Sequence, residues 1–249
     1  MFIHNIDPVL FNIGFIEIRY YGLVYLLGFL LVLLFLKKYK SELKLKEEHI
    51  YDLIFYLFLS ILFGARLFYF LIEEPYTLIR QPLEFFKIWN GGMSFFGSLI
   101  FVLISIFLYC KKNKINFYLL GDILVFPTTI ALILGRLANF INGELVGTVS
   151  NLQWCVIFNN YLECRHPYQI YASLSHLILL CILFKVKKVK EKLKLKDGII
   201  LLSFVFFYSL IRFLVDFFRD EPRIFGLTIW QYLSLVFIIA SIFYYRKFK

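Results

Sequence analysis

The run Gly135-Arg136-Leu137-Ala138-Asn139-Phe140-Ile141-Asn142-Gly143-Glu144-Leu145-Val146-Gly147 places an arginine, two asparagines and a glutamate among glycines, directly after a long apolar stretch. If that stretch crosses a bilayer, these groups lie near its edge, where polar and ionisable side chains are expensive and mark a functional site by default. Arg136, Asn139 and Asn142 recur at three-residue spacing, so a helix that continues through them lines them on one face. If Gly143 ends the helix, Glu144 opens a loop. A well-satisfied polar helix end is the plainer reading, but it does not call for so many different hydrogen-bonding groups at once.

Two further places carry charge inside apolar sequence. Tyr208, Arg212 and Asp216 stand four residues apart, with Arg219 one helical turn on, and such steps share a helix face. An Arg212–Asp216 ion pair that lets the helix insert explains two of these residues, but not Tyr208 and Arg219 on the same stripe. Gly64-Ala65-Arg66-Leu67-Phe68-Tyr69 puts an arginine mid-span, which costs ~2.5–3.5 kcal/mol on insertion scales; snorkelling or pairing with a carboxylate is its structural alternative. The segment Trp89-Asn90-Gly91-Gly92-Met93-Ser94-Phe95-Phe96-Gly97 sets two glycines before a hydroxyl residue that opens a helix. That suits a backbone approaching an anion closely, although Gly-Gly also serves as a plain turn.

The elements that must position these residues follow from composition. The 249 residues are 61% hydrophobic and 20% aromatic, with a mean hydropathy of +0.76, against about 45–50% apolar in soluble domains. The expected fold is an all-α polytopic membrane protein, one membrane-embedded domain over residues 1–249. Seven apolar runs, near 20–36, 51–72, 94–110, 117–135, 168–184, 198–218 and 228–245, approach the ~20 residues a span needs. Residues 1–18 carry Asp7 and Glu17 without a basic start, so they do not read as a cleavable signal peptide.

Net charge is +10, yet its placement argues against nucleic acid as a partner. Lys37, Lys38, Lys40, Lys44, Lys46, Lys111, Lys112, Lys114, Lys185, Lys187, Lys188, Lys190, Lys192, Lys194, Lys196, Arg246, Lys247 and Lys249 all follow odd-numbered runs, and make up 18 of the 27 basic residues. By the positive-inside rule that face is cytoplasmic, which puts the N-terminus outside and the C-terminus in the cytoplasm. Of the nine left over, eight are arginine. Lysine serves topology as a point charge, whereas arginine grips carboxylate or phosphate with a planar fork. The partition points to an anion handled at the outer leaflet. Trp89, Trp154 and Trp230 fall near outer boundaries, where aromatic belts sit. Cys155 and Cys164 share one outer segment and can pair if that side is oxidising; the sequence leaves the pairing open. Cys110 and Cys181 lie near cytoplasmic ends and read as inert. His4, His49, His166 and His176 have no metal-ligand spacing, and neither a nucleotide loop nor a serine elbow is present.

The 135–147 run resembles the signature of the bacterial prolipoprotein diacylglyceryl transferases, G-R-x-x-N-F-x-N-x-E-x-x-G, at every fixed position. Ile6-Asp7-Pro8-Val9, Arg19-Tyr20-Tyr21-Gly22, Gly64-Ala65-Arg66, Gly91-Gly92-Met93-Ser94, His166-Pro167, Gln169 with Tyr171, and Tyr208 through Arg219 look like further landmarks of that family. The resemblance implies a bacterial inner-membrane enzyme, multi-pass, that moves the diacylglyceryl group of phosphatidylglycerol to the lipobox cysteine of a prolipoprotein. A thioether forms and glycerol phosphate leaves. It implies Arg136, Arg212, Glu144 and Tyr21 as catalytic residues, and Arg136, Asn139, Gly147, Tyr208, Asp216 and Arg66 as substrate-binding ones. Its partners would be phosphatidylglycerol, prolipoprotein signal peptides and membrane lipids, with no metal or soluble cofactor. Four positions depart from the family pattern: Phe96 stands where a histidine is usual, Asp216 and Ala172 replace glutamates, and Trp230 replaces a glycine. Phe96 motivates a second reading, a catalytically silent relative that binds anionic phospholipid. A transporter is a third, though transporters often carry internal repeats and none is visible.

Overall fold

The computed structural model describes residues 2–14, 16–72, 74–87 and 91–245. Trp89 and Asn90 of the glycine-rich segment, and Arg246, Lys247 and Lys249, lie outside them. In chain order the elements are β1 (Phe2–Ile3), β2 (Val9–Ile13), β3 (Ile16–Arg19), α1 (Tyr20–Lys38), α2 (Glu47–Ile72), α3 (Pro75–Arg80), α4 (Phe95–Asn113), α5 (Phe117–Ile141), β4 (Val156–Ile157), α6 (Tyr168–Leu193), α7 (Ile199–Val215) and α8 (Ile229–Tyr245). Among the described residues, six helical stretches are long and apolar enough to cross a membrane, those of α1, α2, α4, α5, α6 and α7. The last predicted run is the shorter apolar α8, of 17 residues. The chain is a mostly helical, multi-pass membrane protein.

The helices outrun their apolar runs where charged residues favour helix. α6 extends nine residues past the predicted end at 184, through Lys185 to Leu193, and ends at Lys194 in the left-handed region. Lysine is a good helix former, and cations suit a helix C-terminus. α2 likewise starts at Glu47, with Glu47 and Glu48 in its first turn. Among the described residues, four short strands accompany the helices. β2 and β3 form an antiparallel hairpin before α1, and β1 pairs in parallel with β4. Backbone outside the helices needs hydrogen-bond partners of its own, and these ladders supply them.

The chain divides into two compact units, residues 33–120 and residues 1–32 with 121–249. In the first, α2 crosses α4 at two glycines: a Cβ on Gly64 would collide with the Gly97 carbonyl, and one on Gly97 with the Gly64 carbonyl. Small residues permit such a close approach between spans. Ser98 Oγ donates to the Ile61 carbonyl at 3.0 Å, and the Ser94 amide donates to the Ala65 carbonyl at 3.0 Å, which ties the start of α4 to α2.

In the second unit α7 packs between α6 and α8. The first turn of α7 is capped from another helix: Asp122 of α5, 2% exposed, accepts the amides of Gly198 at 2.8 Å and Leu201 at 2.7 Å. Lys190 of α6 pairs with Asp122 and with Asp197, each at 2.8 Å. α8 starts on a capping box, in which the Thr228 amide donates to Gln231 Oε1 at 2.9 Å and the Gln231 amide to Thr228 Oγ1 at 3.2 Å. Gln231 Nε2 then reaches the Phe213 carbonyl of α7 at 3.0 Å. α5, α6 and α7 are thereby locked at one end. Their other ends, α5 after Arg136, α6 from Tyr168 and α7 from Arg212, carry the polar residues singled out above.

Candidate active site

α5 continues through Arg136 and Asn139 to Ile141, and Gly143 then takes a φ of +68°. The Glu144 amide donates to the Asn139 carbonyl at 3.1 Å and the Gly143 amide to that of Phe140 at 3.0 Å. This is a Schellman stop, which glycine permits in the left-handed region. The helix therefore runs through Asn139 and still releases Glu144 as the first loop residue. Side chains pass one polarity along it: Arg136 Nη1 donates to Asn139 Oδ1 at 3.4 Å, and Asn139 Nδ2 donates to Glu144 Oε1 at 2.6 Å. Asn142 Nδ2 adds a 3.4 Å contact to the same oxygen. Asn139 is buried while Glu144 is exposed. Gln169 Nε2 fixes the Glu144 carbonyl at 2.5 Å. The N-terminal strand braces the turn from below, where His4, 2% exposed, holds the Phe140 carbonyl through Nε2 at 2.7 Å.

The predicted stripe on the sixth span comes apart. α7 ends at Val215, Asp216–Phe218 form a 3-10 turn, and Arg219 is extended, with φ −85° and ψ 138°. Arg212 Nε pairs with Asp216 Oδ2 at 2.9 Å, and Asp216 is fully buried. Tyr208 instead stacks on His176 of α6, rings 5.6 Å apart and 9° from parallel. Arg219 pairs with Glu221 at 2.5 Å.

Tyr168, which the sequence did not single out, joins these pieces. It is 1% exposed. Its hydroxyl donates to Asp216 Oδ1 at 2.5 Å, while the guanidinium carbons of Arg136 and Arg219 lie 5.9 and 5.6 Å from its ring centroid. A tyrosine at the mouth of an apolar run reads as an interfacial anchor, so no local signal separates it from Tyr20 or Tyr118.

Gly147 works by absence of bulk. A Cβ there would lie 2.5 Å from the His166 carbonyl and 2.7 Å from that of Phe218. The Gly147 amide donates to His166 at 3.1 Å and the Thr148 amide to Phe218 at 2.9 Å, so this strand threads between the approach to α6 and the end of α7. Arg165 clamps it, donating to the Gly147 carbonyl at 3.1 Å and pairing with Asp220 at 2.6 Å. Cys155 and Cys164 are joined in a disulfide that closes this loop, with Cα atoms 5.5 Å apart. His166 Nδ1 lies 3.2 Å from the Tyr171 hydroxyl, which accepts from Trp154 Nε1 at 2.7 Å. Burial holds the His166 imidazole below its usual pKa.

Tyr21 meets Tyr25 edge-on at 5.2 Å; Tyr25 hydrogen-bonds Tyr21 and interacts electrostatically with Glu144. Arg136, Asn139, Glu144, Gly147, Arg212, Asp216, Tyr208 and Tyr21 thus all belong to one unit. Arg66 belongs to the other, where it is 3% exposed. It donates to the carbonyls of Phe85 at 2.9 Å, Gly92 at 3.1 Å, and Glu84 and Gly91, with its Cζ 4.7 Å from the Phe70 ring centroid. A guanidinium so engaged staples the loop before α4. Phe96, on the first turn of α4, is 36% exposed.

The family model for prolipoprotein diacylglyceryl transferase matches residues 8–246. A phosphatidylglycerol–prolipoprotein diacylglyceryl transferase of Rickettsia typhi is 40% identical over 252 residues, which cover 97% of this chain and 96% of that protein. One from Rickettsia bellii is 36% identical over 96% of this chain and 94% of its own. One from Geobacter sulfurreducens is 38% identical over 90% of this chain and 86% of its own.

Proposed function

The chain belongs to the prolipoprotein diacylglyceryl transferase family, and from that premise we propose that it transfers the diacylglyceryl group of phosphatidylglycerol to the cysteine thiol of a prolipoprotein. The observation that carries the assignment of chemistry is the polarised chain from Arg136 through Asn139 to Glu144, beside an Arg212 whose ion pair uses its Nε. The thiolate attacks the glyceryl carbon that bears the phosphate, a C–S bond forms, and the C–O bond breaks. The departing glycerol phosphate takes a second negative charge. Arg136 and Arg212 are the donors for that charge, and donors fixed in advance at developing charge commonly supply the largest catalytic contribution. Asn139 and Tyr208 line the headgroup site, and Tyr21 packs on Tyr25, which interacts with Glu144. The thiol proton passes to Glu144, an exposed carboxylate whose contacts fall on Oε1. Asp216 is a poorer acceptor, since it is fully buried, ion-paired with Arg212 and bonded at Oδ1 by the Tyr168 hydroxyl. Gly147 serves by letting the strand thread, and Arg66 by holding its loop. The silent lipid-binding reading finds no support in the relatives.

The orientation proposed is N-terminus outside and C-terminus cytoplasmic, across the bacterial inner membrane, with α8 as a seventh span. The basic loops support it, as does the Cys155–Cys164 disulfide, because such bonds persist in oxidising compartments.

Membranes containing the protein should add diacylglyceryl mass to a lipobox peptide only when phosphatidylglycerol is supplied, and Arg136→Ala should abolish the gain. Phosphatidylglycerol binding with no transfer by the wild type would sink the reading. For orientation, a cysteine at the exposed Lys192 should react with an impermeant reagent only after the cytoplasmic face is opened.

A further inference from the structure

Arg136 and Arg212 must be held close together without using up the N–H donors that the phosphate needs. A carboxylate partner fixes a guanidinium by occupying its fork. An aromatic face fixes it by the ring quadrupole and leaves the in-plane donors open. Arg212 is held by a carboxylate, with Nε 2.9 Å from Asp216 Oδ2. Arg136 has no carboxylate within ion-pair distance among the described residues; its contacts are Asn139 at 3.4 Å and the Tyr168 ring. Arg219, whose Nη2 is committed to Glu221, leans on the same ring. The Tyr168 hydroxyl takes one oxygen of Asp216 while Arg212 takes the other. One side chain therefore touches, directly or through Asp216, Arg136, Arg212 and Arg219.

We infer that Tyr168 is a positioning residue of the transfer reaction: its ring holds Arg136 and Arg219 without itself occupying their N–H donors, and its hydroxyl orients Arg212 through Asp216. The inference rests on the transferase reading, in which those arginines meet the headgroup and the leaving phosphate. Two separable functions follow. The ring sets affinity for the phosphate through Arg136. The hydroxyl sets the rate, because it fixes the arginine that meets the charge growing in the transition state.

Tyr168→Phe keeps the ring and removes the hydroxyl; Tyr168→Leu removes both. The full-length protein in phosphatidylcholine nanodiscs is assayed for transfer to a lipobox peptide as phosphatidylglycerol is titrated, and for binding of free glycerol phosphate by calorimetry. Tyr168→Phe should keep KM for phosphatidylglycerol and glycerol phosphate affinity within about twofold while kcat falls about tenfold, the loss expected of a hydrogen bond to a charged group. Tyr168→Leu should add a rise in KM and a matching loss of glycerol phosphate affinity of about tenfold, within the range for partly desolvated cation–π contacts. Thermal unfolding reports the folded fraction. A folded Leu variant with unchanged KM and affinity overturns the inference, and so does a Phe variant as impaired in binding as Leu. Equal losses that only follow the folded fraction make Tyr168 a core residue and overturn it too. A wild type that binds glycerol phosphate but transfers nothing removes the transferase reading, while the Phe-against-Leu contrast in binding still decides Tyr168. No binding by the wild type removes the cradle and the inference together.

Discussion

Asp122 and Asp216 are both buried aspartates, at opposite ends of the α5–α6–α7 group, and each faces a cation from a spanning helix. Around Asp122 the circuit is closed: two α7 amides and Lys190 meet its oxygens, and Lys190 is shared with Asp197. The partner is a lysine, a compact charge that three acceptors can saturate. Around Asp216 the partner is an arginine held by one edge, with Arg136 and Arg219 laid over the neighbouring Tyr168 ring. Here cationic donors outnumber the acceptors that hold them. The first arrangement stops a helix end from fraying; on the function proposed above, the second keeps a site ready for an anion. Burial of charge does not by itself distinguish function from structure. The count of donors left unengaged does.

The contrast breaks most visibly if one member is removed from each end. Asp122→Ala leaves Lys190 and the first turn of α7 short of partners, and should cost about 3–5 kcal/mol of stability, read as a drop in unfolding temperature, with transfer per folded molecule unchanged. Arg212→Ala should lower transfer per folded molecule by about 10²–10³-fold, and, because it leaves the buried Asp216 without its cation, should lower the unfolding temperature as well. An Asp122 variant that folds normally but is inactive would erase the distinction. Gly147→Ala tests the strand that separates the site from its scaffold. Its Cβ must displace the backbone at His166 and Phe218, not a flexible side chain, and overpacking of that kind costs about 1–3 kcal/mol. Activity and unfolding temperature should fall together.

A smaller effect concerns pH. Burial lowers the pKa of His166 in the fold, and its Nδ1 fits the Tyr171 hydroxyl, whose other side accepts from Trp154. The unfolded imidazole binds its proton at higher pH than the folded one. Below about pH 6.5 the unfolded state therefore holds more protons, and stability is lost as pH falls. The unfolding temperature should drop between about pH 7.5 and 5.5, and His166→Gln should flatten that slope; an unchanged slope assigns the dependence elsewhere. The smallest change is expected from Phe96→His. If Glu144 receives the thiol proton, a new imidazole on α4 should alter kcat by less than about threefold, and a large gain would show that the natural chain lacks its base.

Much of the site was legible locally. Arg136, Asn139 and Glu144 announce themselves because charged groups after an apolar run have few structural excuses, and helix periodicity places the first two on one face. The Arg212–Asp216 pair follows from the same step of four. Arg219 does not, because a 3-10 turn breaks the period before it, and no residue between 212 and 219 marks that break. Tyr168 and Asp122 were missed for a common reason. Each acts on a helix far away in sequence, Tyr168 on α5 and α7, Asp122 on α7 from 76 residues upstream. Neither has a periodic partner to expose it.

Composition, run lengths and the split between lysine and arginine determined that the chain crosses a membrane repeatedly, and where its polar side chains gather. Those are properties of side-chain transfer and local spacing, which any window of sequence carries. Tertiary structure alone decided that Arg66 staples a loop, that Gly147 is a gap for two backbones, and that the Tyr168 ring lies against Arg136 and Arg219 while its hydroxyl meets Asp216. Each depends on which carbonyls, rings and oxygens arrive from other helices, and that is settled only when the helices pack.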